Sequence, residues 1–482
     1  MTDTDSTRIG IDIPGLESVL HGGVLAHRSY LVSGGPGAGK TTLGLHFLAS
    51  AGDGDGLLIS LGEAQRNLRR DADSIGLRLD QIEIMDLSPG TDDAASYDLL
   101  EPWEAEAPDI RTLIKERFPD GPPKRVFIDA LSQLRQLTPD GYQFRKQVLG
   151  LLEYLNRAGS TVLYTAERGS AADEDLRYLG DGILELRSGD GGRRLQVLKF
   201  RGSGFAEGEH TLKLGGGGMR VFQRLAPGEH SRTFVAEALS SGIPALDTLM
   251  GGGLDRGTVT IISGPTGVGK TSLAIQFLRE AARRGEDSVV FSFEESLATL
   301  RHRCEITGTP LADMINRGTL RVEEVEPLHY SPDEFAWRVR DEVERKGARM
   351  VMLDSLSGFG QSMRGDDVST HVHALCRYLT NMGITVLVIN EHASIAGGEL
   401  RVSDHGISYL ADTILLLRYM ELRGELRKSI GVLKKRTGDF EKTLREFRIT
   451  GDGLRIGEPL TGLRGILHGV PTVAGTNTAP DE

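Results

Sequence analysis

GGPGAGKTT at residues 34–42 and GPTGVGKTS at residues 264–272 are two copies of one phosphate-binding loop, G-x-x-x-x-G-K-[ST]. Their lysines, Lys40 and Lys270, stand nearly half the chain apart. Each loop is entered from a short apolar run, Tyr30-Leu31-Val32-Ser33 in one copy and Thr260-Ile261-Ile262-Ser263 in the other. Each opens a helix whose apolar positions share a face: Leu43, Phe47 and Leu48, then Leu273, Phe277 and Leu278. One such match in strand–loop–helix context is already specific. Two imply a duplicated nucleotide-binding domain.

The repeat runs beyond the loops. Ile13-Pro14-Gly15-Leu16 matches Ile243-Pro244-Ala245-Leu246, and Gly22-Gly23 matches Gly252-Gly253. Further on, LLISLGEA (57–64) pairs with VVFSFEES (289–296), RVFIDALS (125–132) with RMVMLDSLS (349–357), and TVLYTAE (161–167) with TVLVINE (385–391). LQVLKFRGSG (195–204) pairs with SIGVLKKRTG (429–438). Several of these are continuous apolar runs, as parallel strands covered by helices on both faces require. The fold class expected is α/β, with two tandem P-loop NTPase domains, each a mainly parallel sheet flanked by helices. The boundaries expected are a first domain at 1–225, a polar linker at 226–240 after the Gly-rich stretch Leu214 to Arg220, a second domain at 241–472, and a disordered tail at 473–482.

Composition narrows the function classes. The chain has 482 residues, 39% hydrophobic and 26% charged, as globular proteins do. No apolar run reaches the roughly 20 residues of a membrane helix, so no membrane role is expected. The polar start MTDTDSTRIG is not a signal peptide, and the two cysteines, Cys304 and Cys376, suit a reducing cytoplasm as core residues. A net charge of −12 opposes wrapping a nucleic-acid backbone. The cluster Arg66, Arg69 and Arg70 is followed by Asp71 and Asp73 and reads as a solvated helix face.

The loop chemistry follows from residue type. Gly34, Gly37, Gly39 and Gly264, Gly267, Gly269 let backbone N–H groups turn onto phosphate oxygens, and the following helix adds its positive end. Lys40 and Lys270 reach the β- and γ-phosphates of ATP, with Thr42 and Ser272 one step along the helix. The hydroxyls of Thr41 and Thr271 ligate Mg²⁺, with Asp129 and Asp354 at strand ends on the same side. Phosphoryl transfer also needs a carboxylate to handle the attacking oxygen. The second copy offers adjacent Glu294 and Glu295, expected to repel and so raise one pKa. The first offers Gly62 and Glu63, so unequal sites are expected. A Lys-x-Arg recurs late in each copy, Lys199 and Arg201, then Lys434 and Arg436, as cations aimed at a γ-phosphate in trans.

Taken together, these residues resemble the KaiC family of tandem RecA-like ATPases. The markers are both loops, FSFEES at 291–296, IDALS, LDSLS, TAER at 165–168, KFRGSG at 199–204, ISYLADTILLLRYMELRGEL at 407–426 and GLRGILHGVPT at 462–472. The resemblance covers residues 10–472, and 407–426 is its most specific part. It implies a homo-hexamer of two stacked rings with ATP at subunit interfaces. It implies slow hydrolysis in the first ring and autokinase and phosphatase chemistry in the second. It maps the first acid of the glutamate pair onto Glu294, but onto Gly62 in the first copy, which puts hydrolysis there in question unless Glu63 substitutes. The trans cations map to Lys199, Arg201, Lys434 and Arg436.

The phosphorylated Ser-Thr dipeptide of the family falls on Ser408-Tyr409, so the serine is kept and the threonine replaced; Ser403 falls on a nearby hydroxyl position. Tyr409 has a counterpart in Tyr178 of the first copy and reads as a packing residue, so Ser408 is the favoured acceptor. Few residues follow Thr472, so no KaiA-type activator is expected at the tail; a KaiB-like or signalling partner remains compatible. The leading function is an ATPase and serine autokinase for circadian-type timing or stress signalling. A ring scaffold without kinase activity is the competitor. A RecA- or DnaB-like nucleic-acid motor fits the acidic chain worst.

Overall fold

The computed structural model describes residues 7–88, 110–137, 141–167, 174–309, 311–326, 329–362, 368–391, 409–465 and 472–473. The chain divides into two compact units, Met1–Arg224 and Leu225–Glu482.

In the first unit nine strands form one sheet: β1 Ser29–Gly34, β2 Gly56–Ser60, β3 Glu83–Asp86, β4 Arg125–Asp129, β5 Thr161–Glu167, β6 Gly182–Gly189, β7 Gly192–Phe200, β8 Glu209–Gly215 and β9 Gly218–Phe222. Their spatial order is β3-β2-β4-β5-β1-β6-β7-β8-β9. The second unit repeats it with β10 Val259–Gly264, β11 Ser288–Ser292, β12 Leu320–Glu324, β13 Met350–Asp354, β14 Thr385–Glu391, β15 Thr413–Leu422, β16 Glu425–Lys435, β17 Arg445–Thr450 and β18 Gly453–Pro459. The order there is β12-β11-β13-β14-β10-β15-β16-β17-β18, strand for strand the same. The first six strands of each order pair in parallel, and the last three add an antiparallel extension.

The continuous apolar strands are buried on both faces. Side chains alternate between faces along a strand. Tyr30, Val32, Leu58 and Phe127 therefore enter one core, and Leu31, Leu57, Ile59 and Val126 the other. The second unit divides Ile261, Val289 and Phe291 from Ile262, Val290 and Met352 in the same way. The helices that open at the loops, α1 Lys40–Ala49 and α2 Lys270–Arg283, follow the C-terminal ends of β1 and β10. Crevices at the carboxyl ends of parallel strands are where α/β sheets bind ligands.

The polar stretch expected as a linker makes its contacts on the second unit. Leu225 is buried in its core. Asn381 Nδ2 donates to Pro227 O at 2.9 Å, and Arg232 N donates to Asn381 O at 3.0 Å. The His230 ring meets Tyr378 edge-on, with centroids 5.2 Å apart. Phe234 lies against Gly257 and Gly383, where a Cβ would come within about 2.6 Å of its ring. Most of these bonds use backbone groups, which side-chain polarity does not announce. Thr472 and Val473 pair with Arg464 and Leu463, while 474–482 lie outside the described residues. Among the described residues no helix is long and apolar enough to cross a membrane.

Candidate nucleotide sites

Both loops have the same backbone solution. Gly39 and Gly269, the residues before each helix, adopt φ of 103° and 115°. That left-handed region strains any residue with a Cβ. A Cβ on Gly269 would also lie 2.5 Å from Ile449 Cδ1. Lys40 Nζ donates to Gly34 O at 2.8 Å and Gly35 O at 3.1 Å, and Lys270 Nζ donates to Pro265 O at 2.9 Å. Lys270 is buried, 6% exposed, whereas Lys40 is half-buried. Burial pulls the Lys270 ammonium below the ordinary lysine range, opposed by the charges of Glu391, Asp354 and Glu294.

Each hydroxyl expected at the metal meets its expected aspartate. Thr41 Oγ1 donates to Asp129 Oδ2 at 2.6 Å, and Thr271 Oγ1 to Asp354 Oδ2 at 2.9 Å. Asp129 receives a second hydroxyl, from Thr165, at 2.5 Å. Ile389 takes the place of Thr165 in the second unit. Burial pushes the Asp354 carboxyl up to about 6, with Thr271 pulling the other way. A buried carboxylate that costs this much to ionise fits a site completed by a cation. Among the described residues no three His, Cys, Asp or Glu side chains converge as a metal cage. One hydroxyl and one carboxylate suit Mg²⁺, which keeps water and phosphate oxygens as its remaining ligands.

In the second unit a cavity of about 410 Å³ gathers Lys270, Thr271, Ser272, Glu294, Glu295 and Asp354. Its volume falls in the range of small-molecule pockets. The two glutamates, expected to repel, take different partners. Glu294 accepts a hydrogen bond from the Ser355 hydroxyl, and Glu295 Oε2 pairs with Arg303 Nη2 at 2.6 Å.

The first unit keeps Glu63 in the place of Glu295 but differs around it. Gly62 leaves a gap that the Gln133 side chain fills, and a Cβ at residue 62 would collide with its amide. Asp71 stands where the second unit has Arg303. Burial raises the Glu63 carboxyl, Asp71 and Asp129 raise it further, and Arg70 opposes them.

The four cations expected to act in trans lie away from these clusters. Lys199 Nζ donates to Gly180 O at 2.6 Å and, with Arg201, Arg177, Tyr178 and Leu198, lines a separate open cavity of about 530 Å³. Arg436 reaches Asp412 at 3.2 Å and Tyr409 O at 2.7 Å. Burial and neighbouring Arg436 lower the Lys434 ammonium, and Asp412 raises it. Ser408 and Ser403 lie outside the described residues. Tyr409 is 54% exposed, with its ring edge-on to His373 at 5.7 Å between centroids, and Tyr178 is 69% exposed.

Arg303, Thr307, Glu391 and Ile449 also line the second cavity, and Ser355 and Gln133 touch the acid positions. None was singled out from sequence. Comparing the two copies column by column past the acid pair was the signal available for Arg303 and Gln133, since each differs in kind from its partner.

A model of the KaiC ATPase family matches residues 9–226 and again 239–461. The chain belongs to the KaiC family. Its relatives include the circadian clock oscillator protein KaiC of Prochlorococcus marinus, 31% identical over 481 residues, covering 95% of this chain and 94% of that protein. The circadian clock oscillator protein KaiC of Parasynechococcus marenigrum is 29% identical, covering 98% and 94%. KaiC 1 of Synechocystis is 28% identical, covering 95% and 91%. The duplicated KaiC match accounts for the repeated strand order. The residues between its two segments are those folded onto the second unit.

Proposed function

We propose that this KaiC-family ATPase assembles in the cytoplasm as a hexamer of two stacked rings that divide their chemistry. The first unit binds ATP through Lys40, Thr41 and Asp129 and hydrolyses it slowly. The second unit transfers the γ-phosphoryl group of ATP to Ser408 of a neighbouring chain, with Tyr409 in the threonine's place. The protein serves circadian-type timing, the role in the names of the relatives, or stress signalling. The observation that carries it is the single cavity holding Lys270, Thr271, Asp354 and Glu294 together.

In the transfer, the Ser408 oxygen bonds to the γ-phosphorus as the bond to the bridging oxygen breaks. The electron pair leaves on ADP, and the hydroxyl proton passes to Glu294. Lys270 offsets charge on the phosphate oxygens. Mg²⁺, held by Thr271 and Asp354 when bound, would neutralise charge on the β- and γ-phosphates. Lys434 and Arg436, which do not line the Lys270 cavity, act on the phosphate of an adjacent subunit. Arg436 also holds the carbonyl of Tyr409, the residue after the acceptor.

The test separates the two units. ATP turnover should persist in Lys270→Ala and fall in Lys40→Ala. Turnover lost in Lys270→Ala and kept in Lys40→Ala would overturn the assignment.

A further inference from the structure

The two units have exchanged which strand end supplies the polar side chain at the acid position. In the second unit Glu294 supplies it from the end of β11, and the facing residue is Gly358. A Cβ on Gly358 would lie 2.6 Å from Phe293 Cβ and 3.1 Å from Glu294 Oε1. In the first unit the matching residues are reversed. Gly62 follows β2, and Gln133, on the 3₁₀ turn Leu131–Leu137 after β4, reaches into the gap. Each site has room for one of the two side chains. Gln133 is solvent-exposed and its turn is fixed by a bond from Gln133 N to Ala130 O at 3.0 Å.

We propose that Gln133 is a positioning residue for ATP hydrolysis in the first unit, holding the attacking water where Glu294 acts in the second. The proposal rests on the reading that the first unit hydrolyses ATP. A neutral amide can accept a hydrogen bond from water at Oε1 and donate one from Nε2 to a phosphate oxygen, and glutamine orients the nucleophile this way in other P-loop hydrolases. It cannot take the proton. As the water oxygen bonds to the γ-phosphorus, the bond to the bridging oxygen breaks and its electron pair leaves on ADP. The released proton passes to Glu63. The Glu63 backbone carbonyl accepts from Ser60 Oγ at 2.6 Å, which fixes the turn carrying that carboxylate. Water orientation without a strong adjacent base fits slow turnover.

The test uses the full chain carrying Lys270→Ala, so that first-unit turnover is isolated. Gln133→Met keeps the volume and removes the amide. It should lower kcat by about 100-fold or more, the scale of losing one positioned polar group. KM for ATP, bound nucleotide and melting temperature should stay as in the parent. The exchange Gly62→Glu with Gln133→Gly should recover turnover relative to Gln133→Gly alone. Unchanged kcat in Gln133→Met, or a loss that follows melting temperature, would overturn the proposal and leave the hydrolysis reading standing. No turnover in the Lys270→Ala parent despite bound ATP would remove both.

Discussion

Arg303 Nη2 lies 2.6 Å from Glu295 Oε2, and this ion pair engages the second carboxylate of the acid pair in the second unit. Both side chains are partly exposed, so the pair contributes at most about 1 kcal/mol to stability. Its larger effect is on the site. Burial holds the Asp354 carboxyl up at about 6 and the Arg303 charge lowers it, so Arg303→Ala should let that carboxyl rise further. The acid limb of the autophosphorylation rate should then move to higher pH while the melting temperature barely changes. A pH–rate series on the variant checks both.

The first unit should respond in the opposite direction. Burial is the main cause of the raised Glu63 carboxyl, and Asp71 adds to it. Asp71→Asn removes one negative neighbour, so the carboxylate should persist to lower pH. In the Lys270→Ala background the acid limb of ATP turnover should shift downward by a measurable fraction of a pH unit. An upward shift would contradict the placement of Asp71 beside Glu63.

His46 ties α1 to two other segments: its Nδ1 bonds Asp12 O at 2.8 Å, and its Nε2 accepts from Met219 N at 2.9 Å. The ring must be neutral to accept, and burial holds its pKa below the usual imidazole value. The unfolded chain therefore binds the proton more readily than the folded one. Stability from this group is complete above the ordinary pKa of about 6.5 and declines as pH falls below it. First-unit melting should drop between pH 7 and 5, and His46→Gln should flatten that slope. Calorimetry of both proteins across this range provides the comparison.

Phe234→Ala should loosen the segment that covers Gly257 and Gly383. The ring is 38% exposed, so the loss should be about 1–2 kcal/mol in second-unit stability, below that of a fully buried phenylalanine. Limited proteolysis should then cut within residues 226–236 faster than in the parent, with the first-unit melting transition unmoved.

Much of the fold was legible because it is written twice. Strand runs such as LLIS and VVFS, and the glycines before Lys40 and Lys270, constrain the backbone locally, and each copy corroborates the other. The pairing of Thr41 with Asp129 and of Thr271 with Asp354 followed from motif chemistry. What stayed hidden depends on which side chain points where. Adjacency of Glu294 and Glu295 suggested mutual repulsion, but their partners Ser355 and Arg303 come from other elements. Gly62 read as a missing acid, because the side chain that fills its place comes from residue 133, beyond any local pattern. The contacts of the 226–240 linker were not legible because Asn381 and Gly383, which receive it, are far along the chain.

The division of labour between the two units meets its most direct test in intact mass spectrometry of the full chain during incubation with Mg-ATP. A species heavier by one phosphate should accumulate in the wild-type protein, map to Ser408, and be absent in both Ser408→Ala and Glu294→Gln. A wild-type chain that stays unmodified throughout while it hydrolyses ATP would contradict the account.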